Sequence, residues 1–182
     1  MGLRPVLSRE ERLRRVGILS ANFTRNVAYY RATRRDGDRI LPRQNFWINL
    51  EGNFIDVAVL EWCKLFADNQ GWHFWRRVVT DVNAFELGLL VAAGRTQIEL
   101  DRLIQQTRTY RDRFVAHLDN ELVMHIPDFD PLLRTASYYF SHVVMNEMTE
   151  CERLRGGLTD LDQYYQDCFD EAVQVFALVP QP

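Results

Sequence analysis

Lysine is nearly missing from this chain: Lys64 is the single lysine among 22 basic residues, and the rest are arginine. We read that bias as composition rather than function. Cysteine is scarce too. Cys63, Cys151 and Cys168 are odd in number and lack the paired spacing of a zinc motif or a disulfide framework. Cys63 and Cys168 fall on apolar helical positions, as buried thiols do. No apolar run approaches the ~18–20 residues that a membrane helix needs. Arg4, Arg9 and Arg12 are followed by no apolar stretch of the kind a signal peptide carries, so a cytoplasmic protein is expected. There is no phosphate-cradling glycine loop, no Gly-x-Ser-x-Gly and no His-Glu-x-x-His. Paired Glu-x-x-His motifs, which would mark a di-metal bundle, are missing as well. Glu61 is followed at the third position by Lys64, and Glu147 by Glu150. His73, His125 and His142 have no ligand at helical spacing, so neither metal nor cofactor is expected.

What remains is ordinary for a globular chain, with 47% apolar and 26% charged residues in 182. That length fits one domain, residues 1–182. The net charge of −3 hides a division. Residues 1–43 hold 11 arginines and 4 acidic residues, or +7; residues 44–182 hold 11 basic and 21 acidic, or −10. A basic first quarter fits either nucleic-acid phosphates or a solvated arginine face.

Helical periodicity dominates. Ser8-Arg9-Glu10-Glu11 is a capping box, and Leu13, Val16, Leu19, Phe23, Val27 and Tyr30 follow it as one apolar stripe. Arg34 to Asp38 is a polar turn. Residues 45–67 are apolar nearly all round, which suggests the central, most buried helix. Its polar stripe, Asn45, Asn49, Asn53 and Asp56, shares one face. A short aromatic segment spans 72–79, and another helix ends at Gly94. A long helix runs from Thr96 to about Leu118, with Ile98, Leu100, Leu103, Ile104, Tyr110 and Phe114 expected inward. Residues 121–127 look extended. Asp130 as N-cap and Pro131 in the first turn begin a helix expected to reach about Arg155. The last runs from Thr159 or Asp160 to about Leu178. The tryptophans, Trp47, Trp62, Trp72 and Trp75, read as core rather than as base-stacking platforms. The fold class is all-α, an up-and-down bundle of five to six helices.

The end of the long helix carries the chemistry. Arg111-Asp112-Arg113-Phe114-Val115-Ala116-His117-Leu118-Asp119 places a polar neighbour beside an arginine and a histidine after it, with five residues between Arg111 and His117. Histidine suits proton transfer near neutral pH, and an arginine fork suits a phosphate that gains charge. These are the groups needed to cleave RNA to a 2′,3′-cyclic phosphate without metal. On one regular helix the two point about 120° apart, from six steps of ~100°.

That motif resembles the HEPN superfamily, and within it most nearly the U-type abortive-infection branch. The resemblance implies a HEPN-like bundle and a metal-independent endoribonuclease of the toxin or phage-defence kind. It also implies a homodimer in which two motif segments build one site, with a possible antitoxin or defence-system partner. Arg111 would stabilise the scissile phosphate, His117 would move protons, and Asp112 would orient them. Arg108 and Arg113 would add phosphate contacts, and Asn49, Asn53 and Asp56 would line the same cleft. Some HEPN toxins carry a tyrosine two residues after the histidine as a modification site. Asp119 stands there in this chain, so that regulation is not carried over. The alternative is a non-catalytic helical module that binds a protein partner or nucleotide through the same groove. A metal-dependent bundle is a third reading.

Overall fold

The computed structural model describes residues 7–115, 125–149 and 157–179, and within them the protein is an all-α bundle of six helices. Helix α1 (Arg9–Ala32) begins at the capping box: the Ser8 hydroxyl accepts from the Glu11 amide and the Glu11 carboxylate accepts from the Ser8 amide. The polar turn is a minimal hairpin, β1 (Arg34–Arg35) against β2 (Asp38–Arg39), closed by Asp36 and Gly37. Both turn residues have positive φ, 53° and 88°, as a two-residue hairpin turn demands. Helix α2 (Asn45–Phe66) follows, then a 3₁₀ turn at Trp75–Arg77. Helix α3 (Val82–Ala93) stops at left-handed Gly94, and α4 (Gln97–Tyr110) opens on a second capping box, Thr96 with Glu99. Helix α4 passes directly into a π turn at Arg111–Val115. Helix α5 (Phe129–His142) likewise ends in a π turn, Val143–Glu147. Helix α6 (Leu161–Ala177) is capped by Asp160.

Helix α1 packs against both α2 and α6, while α3 lies on α5. The core between them is aromatic. Trp62 stacks on Phe66 at 4.8 Å, Phe66 meets Tyr139 edge-on, and Phe85 of α3 touches Trp75, Tyr138 and Tyr139. A smaller apolar cluster, Leu41 with Ala32, Ala172 and Phe176, ties α6 to the hairpin end of α1. Cys63 and Cys168 are both buried. Burial pushes the Cys63 thiol up to about 12, so it stays protonated.

Four expectations change. Helix α2 is central only in its second half. Phe46 and Ile48 in its first turns are 67% and 47% exposed, and Asn45, Asn49 and Asn53 face outward, where water serves them. Ile98 points outward at 71% exposure, because the inward stripe of α4 is set by Leu100, Leu103, Thr107 and Tyr110. Of the tryptophans, Trp62 and Trp75 are core, Trp47 is half-buried and Trp72 is exposed. Helix α5 starts two residues early, with Asp128 as its cap, so Pro131 is the third helical residue. Its missing N–H falls among the four amides that have no helical acceptor in any case.

Nor does α5 run on unbroken to residue 155, since it leaves α geometry at Val143. The Met148 amide reaches back five residues to the Val143 carbonyl at 3.0 Å. The same spacing brings His142 Nε2 to Glu147 at 3.3 Å. The Glu147 side chain, 3% exposed, also accepts from the Thr80 amide and hydroxyl, both at 2.7 Å, and pairs with Arg9. Burial alone would raise its pKa; these hydrogen bonds outweigh that and hold the carboxyl below its ordinary range. Arg9 is not alone in being paired. Arg31 meets Asp130, while Arg34 and Arg39 share Glu51. Part of the basic first quarter is therefore neutralised within the chain.

Close packing of α3 on α5 depends on Gly88. A Cβ there would overlap the phenol of Tyr138, whose ring is held against Phe85. Gly88→Ala is expected to destabilise the fold by about 1–3 kcal/mol despite the better helix propensity of alanine. Gly52→Ala, where a Cβ meets nothing within 4 Å, should stabilise by about 0.5–1 kcal/mol. Urea unfolding midpoints of the two variants against the parent chain check both signs.

Candidate functional site

Helix α4 separates two clefts. The larger, about 450 Å³, lies between one face of the helix and the segment 125–128 that leads into α5. Gln106, Tyr110 and Arg113 line it at spacings of four and three, one continuous helical stripe. Gln105, Thr109 and Phe114 flank that stripe, and His125, Ile126 and Asp128 stand opposite. The smaller cleft, about 230 Å³, lies on the other side of α4, among Phe66, Trp75, Glu86, Asp101 and Arg108. Arg108 and Arg113 therefore line different clefts of the chain.

Arg111 lines neither. Its guanidinium is 15% exposed and turns toward the C-terminal end of α2. Nε donates to one oxygen of Asp112 at 2.8 Å, and Nη2 lies 2.7 Å from the same oxygen. Nη1 lies 3.9 Å from Asp68, just beyond α2, and Asp112 also faces Arg108 at 3.7 Å. Burial works against the Arg111 charge, but the hydrogen bond it donates to Asp112 and the neighbouring carboxylates more than offset it, so the group is held firmly cationic. The π turn brings this contact about. It widens the backbone from Arg111 on, and π turns inserted at helix ends often accompany functional sites.

Asp56 approaches from α2. The Tyr110 hydroxyl donates to its carboxylate at 3.3 Å, so the aspartate meets the larger cleft only through the tyrosine. Asn49 and Asn53 are exposed on α2 and line neither cleft. His117, with Ala116, Leu118 and Asp119, lies outside the described residues, as does most of the stretch expected to be extended. Cys151 lies outside them too. Sequence reasoning set His125 aside as scattered. Its place opposite Arg113 depends on the path of residues 125–128, which no periodicity encodes. Gln106 and Tyr110 stand four apart on α4, a pairing that spacing alone gives, whereas Arg113 joins them through the π turn, which spacing does not give. Among the described residues no group of histidine, cysteine or acidic side chains is arranged to hold a metal, and no helix is long and apolar enough to cross a membrane.

Burial raises the Asp56 carboxyl above its usual range, and the Tyr110 hydrogen bond only partly counters it. The folded protein thus binds this proton more tightly than the unfolded chain. The group favours folding below its unfolded pKa of about 3.9, and that advantage is lost as pH rises through the folded value. Asp56→Asn keeps an acceptor for Tyr110 without the charge. The stability of the variant relative to the parent chain is expected to rise as pH increases above the unfolded value and through the raised folded one, measured by denaturant unfolding at each pH.

No family model, no curated protein and no solved structure matches this chain.

Proposed function

We propose that this protein is a metal-independent endoribonuclease of the toxin or phage-defence type, acting in the cytoplasm as a homodimer. The observation that carries the reading is the state of Arg111: at the point where the helix leaves α geometry it is held cationic by Asp112, and the turn it begins forms one wall of a cleft of about 450 Å³ lined by Arg113 and His125. A fixed arginine beside a cleft with further arginine and histidine supplies the residue types that phosphodiester cleavage needs.

In this reading a base takes the proton from a ribose 2′-hydroxyl and the oxygen attacks phosphorus. The bond to the 5′-oxygen breaks, and that oxygen takes up a proton as the 2′,3′-cyclic phosphate forms. His117 carries proton transfer. Arg111 offsets the charge that builds on phosphorus, Asp112 keeps its fork in plane, and Arg113 holds a neighbouring phosphate. Two copies of the motif, related by the two-fold axis of the dimer, supply the groups that one helix cannot aim at one point. A chain of this kind also has a protein antitoxin or defence partner.

A second reading, a non-catalytic module that binds a partner or nucleotide, has its own support. Arg111 is already paired with Asp112 and Asp68 and has little exposure. The deciding experiment is cleavage of a broad RNA pool in EDTA by the parent chain, Arg111→Ala and His117→Ala. The expected outcome is cleavage by the parent chain leaving cyclic-phosphate ends, with each variant slower by about 10²-fold or more. A parent chain that leaves every RNA intact would favour the binding module, and activity lost to EDTA would favour a metal enzyme.

A further inference from the structure

A phosphate alone does not account for the larger cleft. At about 450 Å³ it falls in the range of pockets that hold a small organic ligand, well beyond one anion. Its lining also divides by chemistry. Arg113 is the cationic end. Away from it stand the side-chain amides of Gln105 and Gln106 and the hydroxyl of Thr109, groups that both donate and accept but carry no charge. Beside them is an aromatic wall. The Phe114 ring is half-buried, 5.5 Å from the almost fully enclosed ring of Tyr110 and tilted 46° to it. Ile126 and Pro127 close the opposite side with apolar surface, and Ile126 is 38% exposed although apolar.

A flat ligand with hydrogen-bonding edges and apolar faces, attached to an anion, fits all of these at once. We infer that the cleft is a pocket for one unpaired nucleobase of the RNA strand. Its phosphate lies toward Arg113, its face packs on Phe114, and its edge is read by Gln106 with Gln105 and Thr109. Uncharged amides are the side chains that pair with base edges through one donor and one acceptor, and aromatic rings are the usual platforms for unpaired bases. A base inside a duplex keeps its faces stacked and its pairing edge occupied, so the pocket selects single-stranded RNA. The inference rests on reading this cleft as the RNA site, and it adds that a base, not only the backbone, is bound.

The test measures binding, not cleavage. The parent chain is titrated with fluorescent 2′-fluoro oligonucleotides, which lack the attacking hydroxyl and cannot be cut by the proposed route. Three probes share one backbone: a single strand, the same strand with its bases removed at the central positions, and the strand annealed to its complement. The single strand is expected to bind about tenfold or more tighter than the abasic strand, the scale of one stacked base, and tighter than the duplex. Phe114→Ala should bring single strand and abasic strand to within a few-fold. Because Phe114 also packs on Tyr110, the exposed Gln106→Ala is the second variant, and it should narrow the gap without affecting folding. Equal affinity for the single strand and the abasic strand, or no binding of either, overturns the pocket. A base preference in a protein that cleaves no RNA would leave the pocket standing and remove the endoribonuclease reading.

Discussion

Burying an indole requires a partner for its N–H, and much of this fold follows from how that requirement is met. Trp62 is fully enclosed, and its Nε1 donates to the Thr135 hydroxyl at 3.1 Å. Thr135 in turn donates to the Leu132 carbonyl at 2.8 Å. One helical turn on, the Tyr139 hydroxyl donates to the His73 carbonyl at 3.2 Å. A single face of α5 thus fixes the rotation of α2 and the course of the loop after it. An apolar contact tolerates sliding, but a buried donor left unmatched costs about 1–3 kcal/mol, so these two bonds set register where the surrounding rings supply only attraction. Phe85 of α3 packs on the same face, α4 follows α3 through the tight Gly94 turn, and the motif segment inherits its position from that chain of dependence.

The elements that could be read from the sequence were those with a local cause. The Ser8 capping box and the glycine stop after α3 are made by residues within a few positions of one another, and the structure has them as the residues indicated. What could not be read depends on distant partners or on a change of helical pitch. Ile98 matches the apolar stripe by spacing, yet it stands exposed among the described residues. The outward face of the first half of α2 was illegible because composition does not say which part of an apolar helix is covered. The two π turns escape any reading that assumes ~100° per residue, since the added residue moves every later side chain to a new face. The pairing of Arg111 with Asp68 spans 43 positions and rests on where α2 ends.

Within the motif, two arginines that are neighbours but one have unlike roles. Arg111 is drawn inward and held by two carboxylates, while Arg113 stands on the lining of the larger cleft. Two steps along any helix already turn side chains about 200° apart. Tyr110 joins the two environments, with its hydroxyl on Asp56 and its ring on Phe114. A substitution at Tyr110 would therefore disturb the cleft wall and the α2 contact together, so its effect on either alone is not a clean readout.

The uneven distribution of charge along the chain acquires a meaning from the ion pairs. Arg9, Arg31, Arg34 and Arg39 of the basic first quarter meet Glu147, Asp130 and Glu51, all from the acidic remainder. The chain behaves as a polycation covalently joined to its own polyanion. Such an arrangement gives the first quarter a long-range attraction to the rest before any apolar contact forms, and dissolved salt weakens that attraction. Ionic strength is therefore a variable of the assembly of this fold and not only of its encounters with other molecules.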